Sequence, residues 1–168
     1  MELLETSDMT NGARVRTRFL FSATGARVAK HLHPYQDETY EVISGNLVYL
    51  LDGTKHVAPA GSSVRLPRAV PHQHFSEGPE DTLAVQTMTP GLDFDYVLET
   101  IFGLGSEGRL GSVSYILQGL VMIRKMEGPF ALAILPLWFQ KALAWMVTPF
   151  AYRLGYRAVY QRFSGEEW

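Results

Sequence analysis

The sequence predicts a mainly β domain, a small closed barrel or jelly roll, followed by a C-terminal α-helical extension. Short runs of alternating apolar and polar residues recur between positions 14 and 90, separated by Gly, Pro and Asp-Gly turns. At Pro90-Gly91 this period of two gives way to apolar residues at helical spacing. The chain has 168 residues, enough for one domain with its own core and an appendage. The expected division is an N-terminal arm over 1–13, a barrel over 14–90 and a helical extension over 91–168, packed on the barrel or on a partner subunit.

The arm is polar and is expected to lie across the barrel or to be loosely ordered. From Arg14 the residues alternate. Val15, Thr17 and Phe19 share the inner face, and Arg14, Arg16 and Arg18 share a solvated outer one. A turn over 22–25 leads to the strand that carries His31 and His33. Pro34 and Gln36-Asp37 then turn the chain so that Glu38 opens the next strand, with Tyr40 and Val42 in the same parity. Tyr40 should therefore face the pocket. A strand over 47–51 ends at Asp52-Gly53, a two-residue hairpin signal, with a short return over 55–57. His56 on that return reads as a surface residue. A strand over 62–66 points Val64 and Leu66 inward, and the turns at Pro67 and Pro71 lead to His72 and His74, two apart on another strand. The last strand covers 82–89.

In the extension, Phe94, Val97, Leu98, Ile101 and Phe102 mark one helix, with Asp93 as its N-cap and Gly103 just past its end. Val113, Ile116, Leu117 and Leu120 mark a second behind Ser112, ending before Gly128-Pro129. Both are expected to cover the barrel. A third, over 137–147, starts after Pro136 and is apolar nearly all round, bearing Trp138, Phe139 and Trp145. Pro129, Pro136 and Pro149 divide the apolar stretch, and breaks of that kind argue against a bilayer span. A subunit interface or a lid is the favoured reading, with shallow membrane-surface association as the alternative.

The chemistry gathers in one stretch. His31 and His33, one residue apart on a strand, project from the same side, and Glu38 faces them across the turn. Two neutral nitrogens and one hard oxygen converge, with His72 as a fourth ligand. Such a set suits a divalent first-row metal, Fe, Mn, Ni or Zn, and leaves positions open for water or substrate. His74 reads either as a proton-handling neighbour or as packing in the barrel mouth.

These two stretches resemble the paired motifs of the cupin superfamily. The first match runs Gly25, His31, His33, Glu38, Gly45 with the spacing of the family pattern. The second runs Gly61, Pro67, Val70-Pro71-His72, with Ala69 where the pattern has glycine and Ser76 where it has asparagine. The resemblance covers about 14–90, and the tail is similar to those of some bacterial single-domain cupins. It implies a cupin-type barrel with one metal held by His31, His33, Glu38 and His72. Similar proteins include dioxygenases, decarboxylases, isomerases and non-catalytic binders, so it implies no single activity.

The favoured expectation is a metal-dependent enzyme, dioxygenase-like, acting on a small organic molecule, with Tyr40 and His74 orienting substrate or moving a proton. The competing one is a non-catalytic binding or sensing module with a structural metal. Lys and Arg number 15 against 17 Asp and Glu, and no DNA-binding motif is visible, so nucleic acid is not an expected partner. The absence of cysteine removes thiolate ligands and disulfides. MELLETSDMT lacks the features of a signal peptide, which makes the cytoplasm the default location. The greasy tail predicts a homodimer through residues 129–155.

Overall fold

The computed structural model describes residues 1–24, 27–127 and 130–167. Gly25 of the first motif and the Gly128-Pro129 stop lie outside the described residues. Strands β1 (Glu2–Glu5), β2 (Val15–Phe21), β3 (His31–Leu32), β4 (Asp37–Ser44), β5 (Asn46–Leu51), β6 (Thr54–Pro59), β7 (Ser63–Leu66), β8 (His72–Ser76) and β9 (Thr82–Thr89) precede helices α1 (Phe94–Ser106) and α2 (Ser112–Lys125). Then follow β10 (Ala131–Leu132), α3 (Leu137–Arg153) and α4 (Gln161–Ser164). The strands form two five-stranded antiparallel sheets, ordered β1-β2-β9-β4-β7 and β10-β3-β8-β5-β6. This is the expected jelly roll with a helical extension.

Alternation places the core as the sequence predicts. Val15, Thr17 and Phe19 are buried, as are Tyr40, Val42, Val64 and Leu66. The outer arginines are less free than expected, because the N-terminal arm is itself a strand. β1 pairs with β2 and brings Glu2 to Arg18 and Glu5 to Arg14 and Arg16. ELLE shows no alternation, so only its pairing with β2 reveals the strand.

A second unexpected strand, β10, comes from the extension and pairs with β3, setting Leu132 opposite His31. Two residues are too few for a periodic signal. Its backbone is held on the other side by buried Gln140 of α3, whose Oε1 accepts from the Leu132 N–H (3.0 Å) and whose Nε2 donates to the Leu132 carbonyl (2.8 Å). An exposed strand edge is thereby capped by a side chain.

The helices depart from expectation in three places. Gly103 does not end α1, which runs three residues further. A Cβ there would lie 2.6 Å from the Phe163 ring, so this glycine makes room for α4 rather than for a turn. Asp93 makes no capping bond to α1, and its Oδ2 accepts from the Glu127 N–H instead (2.7 Å). In α2, Val113 and Ile116 are exposed, and burial shifts to 118–123. That half of the helix is enclosed by two clusters. Val121 and Met122 join Val15, Phe19, Met88 and Phe94, while Leu120 and Ile123 pack on Ala144 of α3.

Pro149 does not divide the tail. It lies inside α3, where proline removes the hydrogen bond to the carbonyl four residues back. That carbonyl, of Trp145, accepts from Nη1 of Arg124 on α2 (2.9 Å), and the same guanidinium lies over the Trp145 ring. Arg124→Ala is therefore expected to cost about 0.5–1.5 kcal/mol in urea unfolding, the net worth of one hydrogen bond. Pro149→Ala should recover much of that loss by restoring the local donor. Equal losses in the two backgrounds would show that the carbonyl is not the cause.

A candidate metal centre between the sheets

β3 and β8 are neighbours in one sheet, and their register sets His31 directly opposite His72. His33 follows just after β3. Glu38 and Tyr40 point inward from β4 in the facing sheet, where Tyr40 lies opposite Gln86 of β9. The turn that delivers His72 is tied to the His33 strand, because the Ala69 N–H donates to the His33 carbonyl (2.8 Å). Ala69 takes a φ of 61°, a left-handed value that favours glycine, which is what the family pattern places there.

His31, His33, Glu38 and His72 are all buried, and one ligand atom from each lies within 4.8 Å of the others. Nδ1–H of His31 donates to the Ala29 carbonyl (2.7 Å) and Nδ1–H of His72 to the Val70 carbonyl (2.9 Å). A carbonyl can only accept, so Nδ1 carries the proton in each neutral ring and Nε2 keeps its lone pair. Burial pushes His33 down to about 3 and lowers His31, which keeps both rings neutral near pH 7. Burial is the largest single influence on Glu38 and works against ionising it, but His72, His74 and His33 together outweigh it and hold the carboxyl well below the usual carboxylate range.

The donor atoms themselves test whether a cation fits. Nε2 of His72 and Oε2 of Glu38 are 2.9 Å apart, and neither makes a hydrogen bond of good geometry. Both ring nitrogens of His33 are also buried without a partner. Each such atom costs about 1–3 kcal/mol when left unsatisfied. A divalent cation among them satisfies several at once, so these four residues could hold one.

Beside the cluster runs a polar chain that includes a residue absent from the sequence expectations. Gln86 Nε2 donates to Oε1 of Glu38 and to the Tyr40 hydroxyl (3.1 Å). With that oxygen accepting, the hydroxyl donates to Nε2 of His74 (3.0 Å). Burial raises Tyr40 well above its ordinary value and pushes His74 down to about 4. Parity with Ala84 and Met88 on β9 carried the only sequence signal for Gln86. His56 stays apart, exposed and stacked on Tyr49.

A cavity of about 360 Å³ opens onto His31, His33, His74 and Gln86. Its walls come from Phe19 and Phe21 of β2, from Phe94, Val97, Leu98 and Phe102 of α1, and from Tyr115 and Phe130. Among the described residues no Lys or Arg lines it. Tyr40 is fully buried and stands behind this surface, reaching it only through Gln86 and His74.

A comparison of the sequence with known protein families matches residues 20–88 to the cupin domain. Those residues are a cupin domain. Among solved structures, the chain is similar to KdgF from Halomonas sp., with 19% identity over 56% of this chain and 80% of that one and a TM-score of 0.49. It is also similar to an uncharacterized conserved protein with a double-stranded beta-helix domain from Klebsiella pneumoniae (24% identity, 53% and 74% covered, TM-score 0.47). A third is a sugar phosphate isomerase of the cupin superfamily from Silicibacter pomeroyi (22% identity, 52% and 57% covered, TM-score 0.45). No curated protein matches the chain.

Proposed function

We propose that this protein holds one divalent metal through His31, His33, Glu38 and His72 and is an enzyme that acts on a small, largely apolar organic molecule, with dioxygen-dependent chemistry as the favoured class. The observation that carries the reading is the set of buried, unpartnered donor atoms beside a cavity walled by aromatic and aliphatic side chains. Three neutral donors and one anion suit Fe(II), Mn(II), Ni(II) or Zn(II). When bound, such an ion supplies Lewis-acid polarisation of a substrate oxygen, or a site for dioxygen if it is redox-active.

The chain's own residues then have distinct parts. The cavity excludes water and orients an apolar body by shape, since among the described residues it offers no cation to a phosphate or carboxylate. His74, on the cavity wall, can hold or pass a proton, and Tyr40 fixes which nitrogen is available by donating to Nε2. Gln86 orients Glu38 through Oε1, leaving Oε2 for the metal.

A non-catalytic binding module is the second reading, and one observation favours it. The Tyr40 hydroxyl is fully buried and engaged with Gln86 and His74, so it does not itself face the cavity. Metal-loaded protein should be screened for oxygen consumption and product formation with neutral aromatic and aliphatic candidates. His74→Ala and Tyr40→Phe are expected to retain metal while lowering turnover at least tenfold. Saturable binding with no turnover under any of the four metals would instead establish the binding module.

A further inference from the structure

One surface feature that the metal site leaves unused is the solvent side of α3. Trp138, Phe139, Trp145, Met146 and Phe150 are exposed there, the two tryptophans at 71% and 69%. Gln140, Ala144, Thr148 and Ala151 form the buried side. Small and polar residues thus face inward while the bulky apolar ones face water, the reverse of an ordinary surface helix. Two occupants would cover such a face, a second copy of the chain or a lipid surface.

Charge separates them. The extension over 91–168 is balanced as a whole, with seven Lys and Arg against seven Asp and Glu, but the charges are unevenly placed along it. Between 128 and 165 the chain carries Lys141, Arg153, Arg157 and Arg162 and no carboxylate. Arg153 is exposed at the C-terminal end of the apolar face and pairs with no carboxylate among the described residues. Lys141, also exposed, borders the face and donates to the Tyr35 hydroxyl (2.8 Å). Arg157 and Arg162 are paired with Glu167 and Glu107, which leaves Lys141 and Arg153 as the cations beside the face, and a two-fold contact through it would set these against one another. An anionic bilayer supplies the negative charge and the apolar layer in one plane.

We propose that α3 docks this protein onto anionic membrane surfaces, lying in the plane with Trp138, Trp145 and Phe150 at the boundary between headgroups and acyl chains. Tryptophan favours that depth, and basic residues beside it add attraction to anionic headgroups. The helix has 17 residues, a length of about 25 Å. Among the described residues no helix is long and apolar enough to cross a membrane, so the docking is in the plane of the surface.

The test uses the full chain, phosphatidylcholine vesicles with and without phosphatidylglycerol, and light scattering of the free protein. Co-sedimentation should favour the anionic vesicles at least tenfold and fall as salt is raised. Trp138→Ser with Trp145→Ser should lower it about tenfold or more without changing metal content, and should move the thermal midpoint no further than Arg124→Ala does, since the contact of Arg124 with the Trp145 ring is the packing it removes. Arg153→Glu should weaken binding to anionic vesicles only. Failure to bind them overturns the proposal, as does equal binding to both kinds of vesicle. A stable dimer that the tryptophan pair converts to monomer, with vesicles unbound, would assign the face to a second copy instead.

Discussion

Protein carrying His33→Ala is expected to purify without its divalent metal and to show almost no thermal response when metal is added. The His33 side chain makes no hydrogen bond that the substitution would remove, since both ring nitrogens are buried without a partner. Losing residues that merely orient a ligand weakens metal sites about 10–100-fold, and loss of a ligand should exceed the top of that range. At metal concentrations near 100 times the dissociation constant, binding stabilises the fold by about 2.7 kcal/mol, and a 100-fold weaker site leaves only about 0.4 kcal/mol. In a chain of this size that is a fall in the metal-dependent shift from roughly 5–11 °C to about 1 °C. His56→Ala serves as the control, because His56 is exposed, stacks on Tyr49 and is not among the clustered donors. Equal metal content in the two variants would contradict the assignment.

The second large effect falls on a glycine of the first motif. Gly45 is the single residue between β4 and β5 and holds a φ of +74°, where a side chain is disfavoured by about 1–2 kcal/mol. It also has no room. A Cβ would sit 2.5 Å from the Asp81 carbonyl oxygen and 2.9 Å from Thr82 Cα, and backbone atoms cannot rotate away. Thr82 in turn donates to the Asn46 carbonyl and accepts from the Asn46 N–H, so a shift would loosen the junction of the two sheets. Gly45→Ala should therefore cost about 3 kcal/mol or more, with overpacking adding about 1–3 kcal/mol to the conformational cost. The midpoint should fall by roughly 6–12 °C. Gly53→Ala isolates the conformational part, since φ is +85° but nothing lies within 4 Å of its Cβ position. Similar losses in the two variants would mean that the close approach of β9 is not what excludes a side chain at Gly45.

How much of this was readable in advance follows from which interactions are local. Strand parity is local, and it correctly turned His31 and His33, Tyr40 and Val42, and His72 and His74 inward. The Asp52-Gly53 hairpin was legible for the same reason, as both residues take the positive φ that its turn type requires. Register between distant strands is not local. That His31 faces His72 across β3 and β8, and Tyr40 faces Gln86 across β4 and β9, depends on pairings that no short window contains. Gln86 was missed because an amide on an inward face has no signature until its partners are known. Pro149 read as a helix break because its rescue, Arg124, lies on a different helix. Val113 and Ile116 read as a buried face because spacing shows that a helix has an apolar side, not that another element reaches far enough to cover it.

One ion at one place underlies the proposed chemistry, and an anomalous difference map tests for it directly. Crystals of protein purified without added metal, measured at the edges of iron, manganese, nickel and zinc, should give a single strong peak. It should lie within about 2.0–2.3 Å of Nε2 of His31, a ring nitrogen of His33, Oε2 of Glu38 and Nε2 of His72. A map that stays empty there after all four metals have been supplied, with the four side chains ordered as described, would contradict the assignment.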